Sequence, residues 1–244
     1  MRKVALITGA SRGIGRACAR LFAENGYTVL INYHRSEQAA QELLRELLDK
    51  GCDARLLRAD VSDSAQVDAL CAQALSAFRH VDVLINNAAI AQQALLTDLS
   101  DQDWRRMMAV NLDAAFYCCR ALLPGMISRR CGSILNVSSM WGQVGASCEV
   151  SYSAAKAGLI GFTKALAKEV APSGVRVNCL CPGVIDTDMN AALSDETRRE
   201  LAEETPLGRL GTPEEVARAA LFLCGESASF ITGQVLGVNG GLIV

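Results

Sequence analysis

This sequence is almost without histidine. Among its 244 residues only His34 and His80 carry an imidazole, and neither stands at a metal-ligand spacing from cysteine or carboxylate. The ten cysteines include no Cys-x-x-Cys pair. Cys18, Cys71, Cys118, Cys119, Cys179, Cys181 and Cys224 sit among apolar or helical neighbours. They are expected to be small buried hydrophobes in a reducing compartment, so no metal site is expected. Lysine and arginine never cluster into a basic stripe, and the net charge is -2 with a pI near 5.8. Nucleic acid is therefore not an expected partner. No apolar run approaches the roughly 18 residues of a membrane span. The start, "MRKVALITGASRG", offers only "VALI" where an export signal needs about 7–15 apolar residues. A soluble, cytoplasmic protein is the expectation.

No linker or shift in composition divides the chain. Half the residues are hydrophobic and the mean hydropathy is +0.20, enough for a sizeable core. Short β-rich runs alternate with helical patterns: "KVALITG", then "GIGRACARLFAENG"; "YTVLINY", then "EQAAQELLRELLDKG"; "DARLLRADVS", then "SAQVDALCAQALSAF". The runs "VDVLINNAA", "GSILNVSS" and "VRVNCLCPG" continue the strands, with one long helix through "DQDWRRMMAVNLDAAFYCCRALLPGM". Strands apolar on both faces and separated by helices predict a parallel sheet covered on both sides. The fold class is α/β, a single doubly wound domain over residues 1–244. Residues 186–210 break the rhythm with polar and charged letters. They read either as a solvated helical pair or as a lid over a site. The following helix is announced by Thr212, Pro213 and Glu215, a capping box with proline in the first turn.

"TGASRGIG" follows the first strand and opens the first helix. Gly9, Gly13 and Gly15 there permit a tight turn and let a helix N-terminus approach a pyrophosphate. The same letters also spell Gly-x-Ser-x-Gly, the nucleophile elbow of hydrolases. That reading needs an acid and then a histidine downstream, and neither histidine sits in a motif. At the end of the second strand an acid would bind the 2′-hydroxyl of NAD. The chain reads "INYHRSE" instead, and Arg35, Arg12 and Ser36 suit a 2′-phosphate. NADP(H) is the expected cofactor.

Tyr152 and Lys156 stand one helical turn apart, on one face. A phenol beside a fixed ammonium ionises more readily, and a phenol of pKa about 10 needs such help near neutral pH.

With these pieces placed, the chain resembles the short-chain dehydrogenase/reductase family over its full length. The resemblance rests on "TGASRGIG", "NNAA", Asn111 in "VNLD", Ser139, Tyr152-x-x-x-Lys156 and "PGVIDTDM". It implies a Rossmann fold and a reductase that turns a ketone into a secondary alcohol. By resemblance Tyr152 is the general acid that protonates the ketone oxygen as hydride arrives. Lys156 lowers the tyrosine's pKa and holds the nicotinamide ribose, Ser139 hydrogen-bonds the substrate oxygen, and Asn111 positions a relay water. The implied cofactor set adds Ser11, Ile14, Asn32, Tyr33, Asp60, Val61, Asn87, Ala88, Ala89, Pro182, Gly183, Ile185 and Thr187. Ala89 departs from the family's usual Asn-Asn-Ala-Gly, and its methyl is expected to crowd the cofactor loop.

The overall pattern is most similar to bacterial 3-oxoacyl-[acyl-carrier-protein] reductases. Arg129 and Arg130 are candidates to dock an acidic carrier protein, although Ser173 stands where the family often has a base. The loop "MWGQVGASCEV" is similar to that of reductases acting on an aminopentanone group on a lysine of elongation factor P. Trp141 reads as pocket wall, core packing or a subunit contact, and Glu149 as a pocket carboxylate suited to a cationic ketone or as a solvated acid. A non-catalytic NADPH-binding regulator is the alternative from another class. Relatives assemble as homotetramers through the helices bearing Asn111 and Tyr152 and through the C-terminal segment. The apolar tail "VLGVNGGLIV" is compatible with such an interface.

Overall fold

The computed structural model describes residues 2–191 and 193–244; Ala192, inside the expected lid, lies outside the described residues. Seven parallel strands form one sheet in the order β3-β2-β1-β4-β5-β6-β7. They are β1 Val4–Ile7, β2 Thr28–Tyr33, β3 Ala54–Arg58, β4 Val83–Asn86, β5 Gly132–Val137, β6 Val175–Pro182 and β7 Val235–Val238. Helices α1 (Gly13–Glu24), α2 (Glu37–Asp49) and α9 (Pro213–Cys224) cover one face. Helices α3 (Ser64–Phe78), α5 (Ala114–Arg129) and α7 (Val150–Val170) cover the other. Helix α4 (Asp101–Met108) precedes α5, and a four-residue helix α6 (Trp141–Val144) precedes α7. Helix α8 (Asp195–Glu204) lies within the polar segment before α9.

Strand periodicity splits the core cleanly. Ala5, Ile7, Val29 and Ile31 pack with Phe22, Leu43 and Val216, while Val4, Leu6 and Leu30 pack with Leu70, Leu122 and Val170. Successive side chains point to opposite faces, and both faces are dry, as the unbroken apolar runs imply. The seven cysteines expected inside are all buried, and all ten are free thiols. The capping box before α9 forms: Glu215 N–H donates to Thr212 Oγ1 at 3.3 Å, and Thr212 N–H donates back to Glu215 Oε2 at 2.8 Å.

The structure departs from the sequence reading in two places. The expected long helix is two helices, with a π-helical turn at Ala109–Asp113 between α4 and α5. The tail is not free to be only an interface, because Val235–Val238 pairs with β6 as the edge strand β7. Its Leu236 is 39% exposed, so part of the apolar surface remains uncovered. Among the described residues no helix is long and apolar enough to cross a membrane.

Candidate active site

Strand order reverses direction between β1 and β4, and a crevice opens there at the strands' carboxyl ends, where open α/β sheets take their ligands. The loop after β1 enters that crevice first. Gly9 and Gly13 hold φ of 61° and 53°, a region that costs an L side chain about 1–2 kcal/mol. A Cβ on Gly15 would lie 2.4 Å from Gly9 O and 2.6 Å from Asn87 Nδ2, so only glycine fits. Ser11 is buried beneath the loop. Arg12 is the N-cap of α1 and makes no side-chain capping bond, leaving the first-turn N–H groups, Ile14 among them, free for an anion.

The loop is braced from both sides. Asn32 Oδ1 accepts from Gly9 N at 3.2 Å, and Asn32 Nδ2 donates to Leu57 O and Ala59 O, each at 3.2 Å. Asn32 thus serves the cradle as a brace, with its amide committed to backbone. On the other side Thr8 Oγ1 accepts from Asn87 N at 2.9 Å and Ala88 N at 3.0 Å, and Asn87 Nδ2 donates to Thr8 O at 2.9 Å. Ala89 has no left-handed backbone. The methyl that replaces the family's glycine therefore sits without backbone strain.

At the end of β2, Tyr33 is buried, Arg35 is exposed and Ser36 is half-buried. His34 lies 3.4 Å from Asp60. Burial raises the Asp60 carboxyl, but the Ser62 hydroxyl and amide, then His34 and Arg35, together hold it below its ordinary value. Arg35 thus stands near the Asp60–Val61 corner, with a cationic surface and no acid at the end of β2. The loop, the free helix N-terminus and Arg35 fit a phosphorylated dinucleotide in shape and charge.

Beyond β5, Ser139 is buried, and Trp141 N donates to its Oγ at 3.2 Å. Trp141 is half-buried at the start of α6. Ser138 Oγ donates to Lys156 O at 2.8 Å, and Lys156 Nζ donates to Val137 O at 2.9 Å. Neither contact partner, Val137 nor Ser138, was singled out in the sequence; only their position beside Ser139 hints at them. The ammonium lies 5.6 Å from the centroid of the Tyr152 ring. Burial pushes the Tyr152 phenol up to about 12; the nearby Ser139 hydroxyl pulls it down, while Glu149 and Cys181 raise it further. Burial also drives Lys156 down to about 8. Desolvation is the largest influence on the phenol here, ahead of the hydrogen bond with Ser139.

Asn111, also buried, lies in the π-helical turn, a feature frequent at functional sites. Its Nδ2 donates to Ile90 O at 3.0 Å and its Oδ1 accepts from Ile90 N at 3.3 Å, tying the loop after β4 to the helix. A cavity of about 10 Å³ lies among Thr8, Asn86, Ala88, Asn111 and Lys156, roughly the room one water needs.

The remaining residues close the far wall. Pro182 O accepts from Met140 N at 3.0 Å, Ile185 is buried, and Thr187 packs 3.4 Å from where a Cβ on Gly13 would be. Gly183 abuts Asn239 closely enough to exclude a side chain. A larger cavity of about 440 Å³ lies between the polar segment and the C-terminal turns and shares only Ile185 with this set. Glu149 is half-buried and accepts from Gln93 Nε2 at 3.3 Å. Arg129 and Arg130 are not brought to the site. They precede β5, at the opposite end of the sheet, where Arg129 bonds Val81 O at 2.9 Å and Arg130 bonds Pro172 O at 3.0 Å.

Comparison with known proteins agrees with this geometry. A family model described as Enoyl-(Acyl carrier protein) reductase matches residues 9–243. The chain is 44% identical over 243 residues to a 3-oxoacyl-[acyl-carrier-protein] reductase of Chlamydia muridarum, covering 99% of this chain and 98% of the relative. It is 42% identical over 242 residues to the protein of that name in Staphylococcus aureus (strain Mu50), again covering 99% and 98%. An uncharacterized oxidoreductase of Bacillus subtilis (strain 168) is 43% identical over 242 residues, 99% of each chain. These matches run through the glycine cradle, the Tyr152–Lys156 helix and the final strand alike, and the chain belongs to the short-chain dehydrogenase/reductase family, as an oxidoreductase acting on CH–OH and C=O groups.

Proposed function

We propose that this enzyme reduces a 3-oxoacyl group carried on acyl carrier protein to the 3-hydroxyacyl product, with NADPH as the reductant. The observation that carries this reading is the convergence of Ser139, Tyr152 and Lys156 beside a glycine cradle, in a chain matched end to end by relatives named for that reaction. The cradle, Arg12, Arg35 and Ser36 would hold the dinucleotide, with Asp60, Val61 and Asn87 around its adenosine half and Ile185 and Thr187 at its nicotinamide end. When bound, the nicotinamide supplies hydride.

The chain's own residues handle the proton. Tyr152 is protonated throughout the neutral range, since burial raises its phenol, and it donates to the ketone oxygen. Ser139 holds that oxygen by a hydrogen bond. Lys156 stabilises the phenolate left behind and returns a proton to it, drawing on a water in the cavity beside Asn111. A proton donor beside an ammonium brought by burial toward the working pH is an arrangement that serves general acid catalysis. Assembly as a homotetramer, a cytoplasmic location and a lid role for residues 186–210 belong to the same reading.

The aminopentanone and regulator readings draw no support from the relatives' names. The first keeps one structural footing, the half-buried Glu149, which among the described residues has no cationic partner within 4.0 Å. The test is a comparison of NADPH oxidation on acetoacetyl-acyl carrier protein and on a free ketone. A preference for the carrier-bound substrate supports the reading, and turnover of the free ketone alone removes the carrier from it.

A further inference from the structure

A buried hydrogen-bond chain runs from α7 across the sheet to the floor of the site, and it has a direction. Thr163, which is fully buried, donates its hydroxyl to Leu159 O at 2.8 Å, one turn back on its own helix. A hydroxyl that donates there must accept elsewhere, and Thr163 Oγ1 accepts from Asn136 Nδ2 at 2.9 Å. Asn136 Oδ1 is thereby turned toward Asn86 and accepts from Asn86 Nδ2 at 2.8 Å. The same Asn86 nitrogen faces Cys119 Sγ at 3.6 Å. Each amide's orientation follows from the one before it.

Among the described residues, the chain ends in an acceptor that no protein donor meets: Asn86 is 6% exposed, and its Oδ1 has no hydrogen-bonding partner there. An orphaned buried acceptor costs about 1–3 kcal/mol when nothing satisfies it. Asn86 lines the same 10 Å³ cavity as Asn111 and Lys156. From the other side, Lys156 Nζ spends one of its three donors on Val137 O, and among the described residues no other acceptor meets it. Asn86, with its unmatched carbonyl oxygen, and Lys156, with donors to spare, therefore line one cavity of a size that suits one water.

We propose that Asn86 Oδ1 holds a water in this cavity against the Lys156 ammonium, which makes Asn86 a positioning residue of the proton path and Thr163 the residue that fixes its orientation. The inference rests on the relay role given to Lys156 above. While Lys156 is an ammonium, the water accepts from it and donates to Asn86 Oδ1. Once Lys156 has given its proton to the phenolate, the water donates its second proton to the amine and takes one up from solvent on its other side. Were the Asn86 amide reversed, an N–H would face the ammonium, and the water would lose its acceptor.

Thr163 provides the test, because it is fully buried with its hydroxyl bonded to Asn136 and Leu159. Thr163→Val keeps the shape and deletes the hydroxyl, so nothing upstream fixes either amide. Thr163→Ser keeps the hydroxyl. With NADPH and an acetoacetyl thioester, Thr163→Val is expected to lower kcat about tenfold. The KM values should stay within about twofold and the solvent isotope effect should rise. Thr163→Ser should restore both. Equal losses in the two variants, or no change in the isotope effect, would overturn the proposal. If Thr163→Val does not fold, a high-resolution crystal structure of the wild-type enzyme decides the matter. A water within about 2.6–3.2 Å of Asn86 Oδ1 is expected, and a dry cavity overturns the proposal. Absence of any Tyr152-dependent turnover would instead remove the functional reading, while the crystallographic result would still stand on its own.

Discussion

The Lys156 ammonium donates to the carbonyl oxygen of Val137 at 2.9 Å, anchoring the catalytic helix α7 to the last residue of β5. That bond holds a lysine that is 2% exposed, and burial brings its pKa from 10.5 to about 8. In the proposed mechanism ketone reduction draws a proton through this group, so turnover should follow its protonated fraction. The rate is expected to be level from about pH 6 to 7.5 and to fall with an apparent pKa near 8. The effect on stability has the opposite sign. Between the folded pKa of about 8 and the ordinary 10.5 the unfolded chain binds more protons, so this lysine's contribution to stability rises with pH there. A pH–rate profile of NADPH oxidation checks the first claim, and a rate that stays flat to pH 9.5 would contradict it.

Gly15 leaves no room for a methyl. Its Cβ would lie 2.4 Å from Gly9 O and 2.9 Å from Ala10 Cα, both backbone atoms that cannot move alone. Gly15→Ala is expected to cost about 1–3 kcal/mol by overpacking and to weaken NADPH binding by at least tenfold. Thermal melting and cofactor fluorescence measure the two effects separately. Unchanged binding would mean that the loop does not cradle the pyrophosphate.

In the proposed reading Arg35 carries the choice of cofactor. Its guanidinium lies near the Asp60 corner, where no acid at the end of β2 opposes a 2′-phosphate. Arg35→Ala should raise the KM for NADPH about 10- to 100-fold, the range of a lost charge-assisted contact, and leave the KM for NADH nearly constant. Equal changes for both cofactors would place the 2′-phosphate elsewhere.

Glu149 separates the substrate readings. Its carboxylate raises the Tyr152 phenol and, among the described residues, is held only by Gln93, at 3.3 Å. Glu149→Gln should leave turnover of an uncharged 3-oxoacyl thioester within about twofold, since no charge on that substrate needs the acid. A large, selective loss on an amine-bearing ketone, measured in parallel, would revive the cationic-substrate reading.

Much of this site is legible in the letters because its geometry demands particular residues. The turn after β1 needs positive φ at Gly9 and Gly13 and no Cβ at Gly15, and it leaves a glycine signature. The Tyr152–Lys156 pair is written in the helical period. Other features leave no such trace. The π-helical turn at Ala109–Asp113 inserts no breaker into "MMAVNLDAAF", so one continuous helix is the natural reading. The edge strand Val235–Val238 is four residues with a glycine inside, too short to announce itself. The sign of the Tyr152 shift depends on burial, a property of the assembled fold rather than of the neighbouring lysine. Asn86 reads as one polar letter ending an apolar strand, and its orphaned oxygen exists only once Asn136 and Thr163 are brought across from two other elements. The Arg129–Arg130 pair is legible as a basic patch, whereas the bond from the Arg129 guanidinium to Val81 O appears only in the fold.

The central claim is that Tyr152 donates the proton in a ketone reduction. It is tested most directly by following NADPH absorbance with an acetoacetyl thioester, using wild-type enzyme and Tyr152→Phe side by side. Burial keeps this phenol protonated and the phenyl ring fills the same space, so the variant should fold and bind NADPH while losing turnover by at least about a hundredfold. Turnover that survives in Tyr152→Phe would contradict the account.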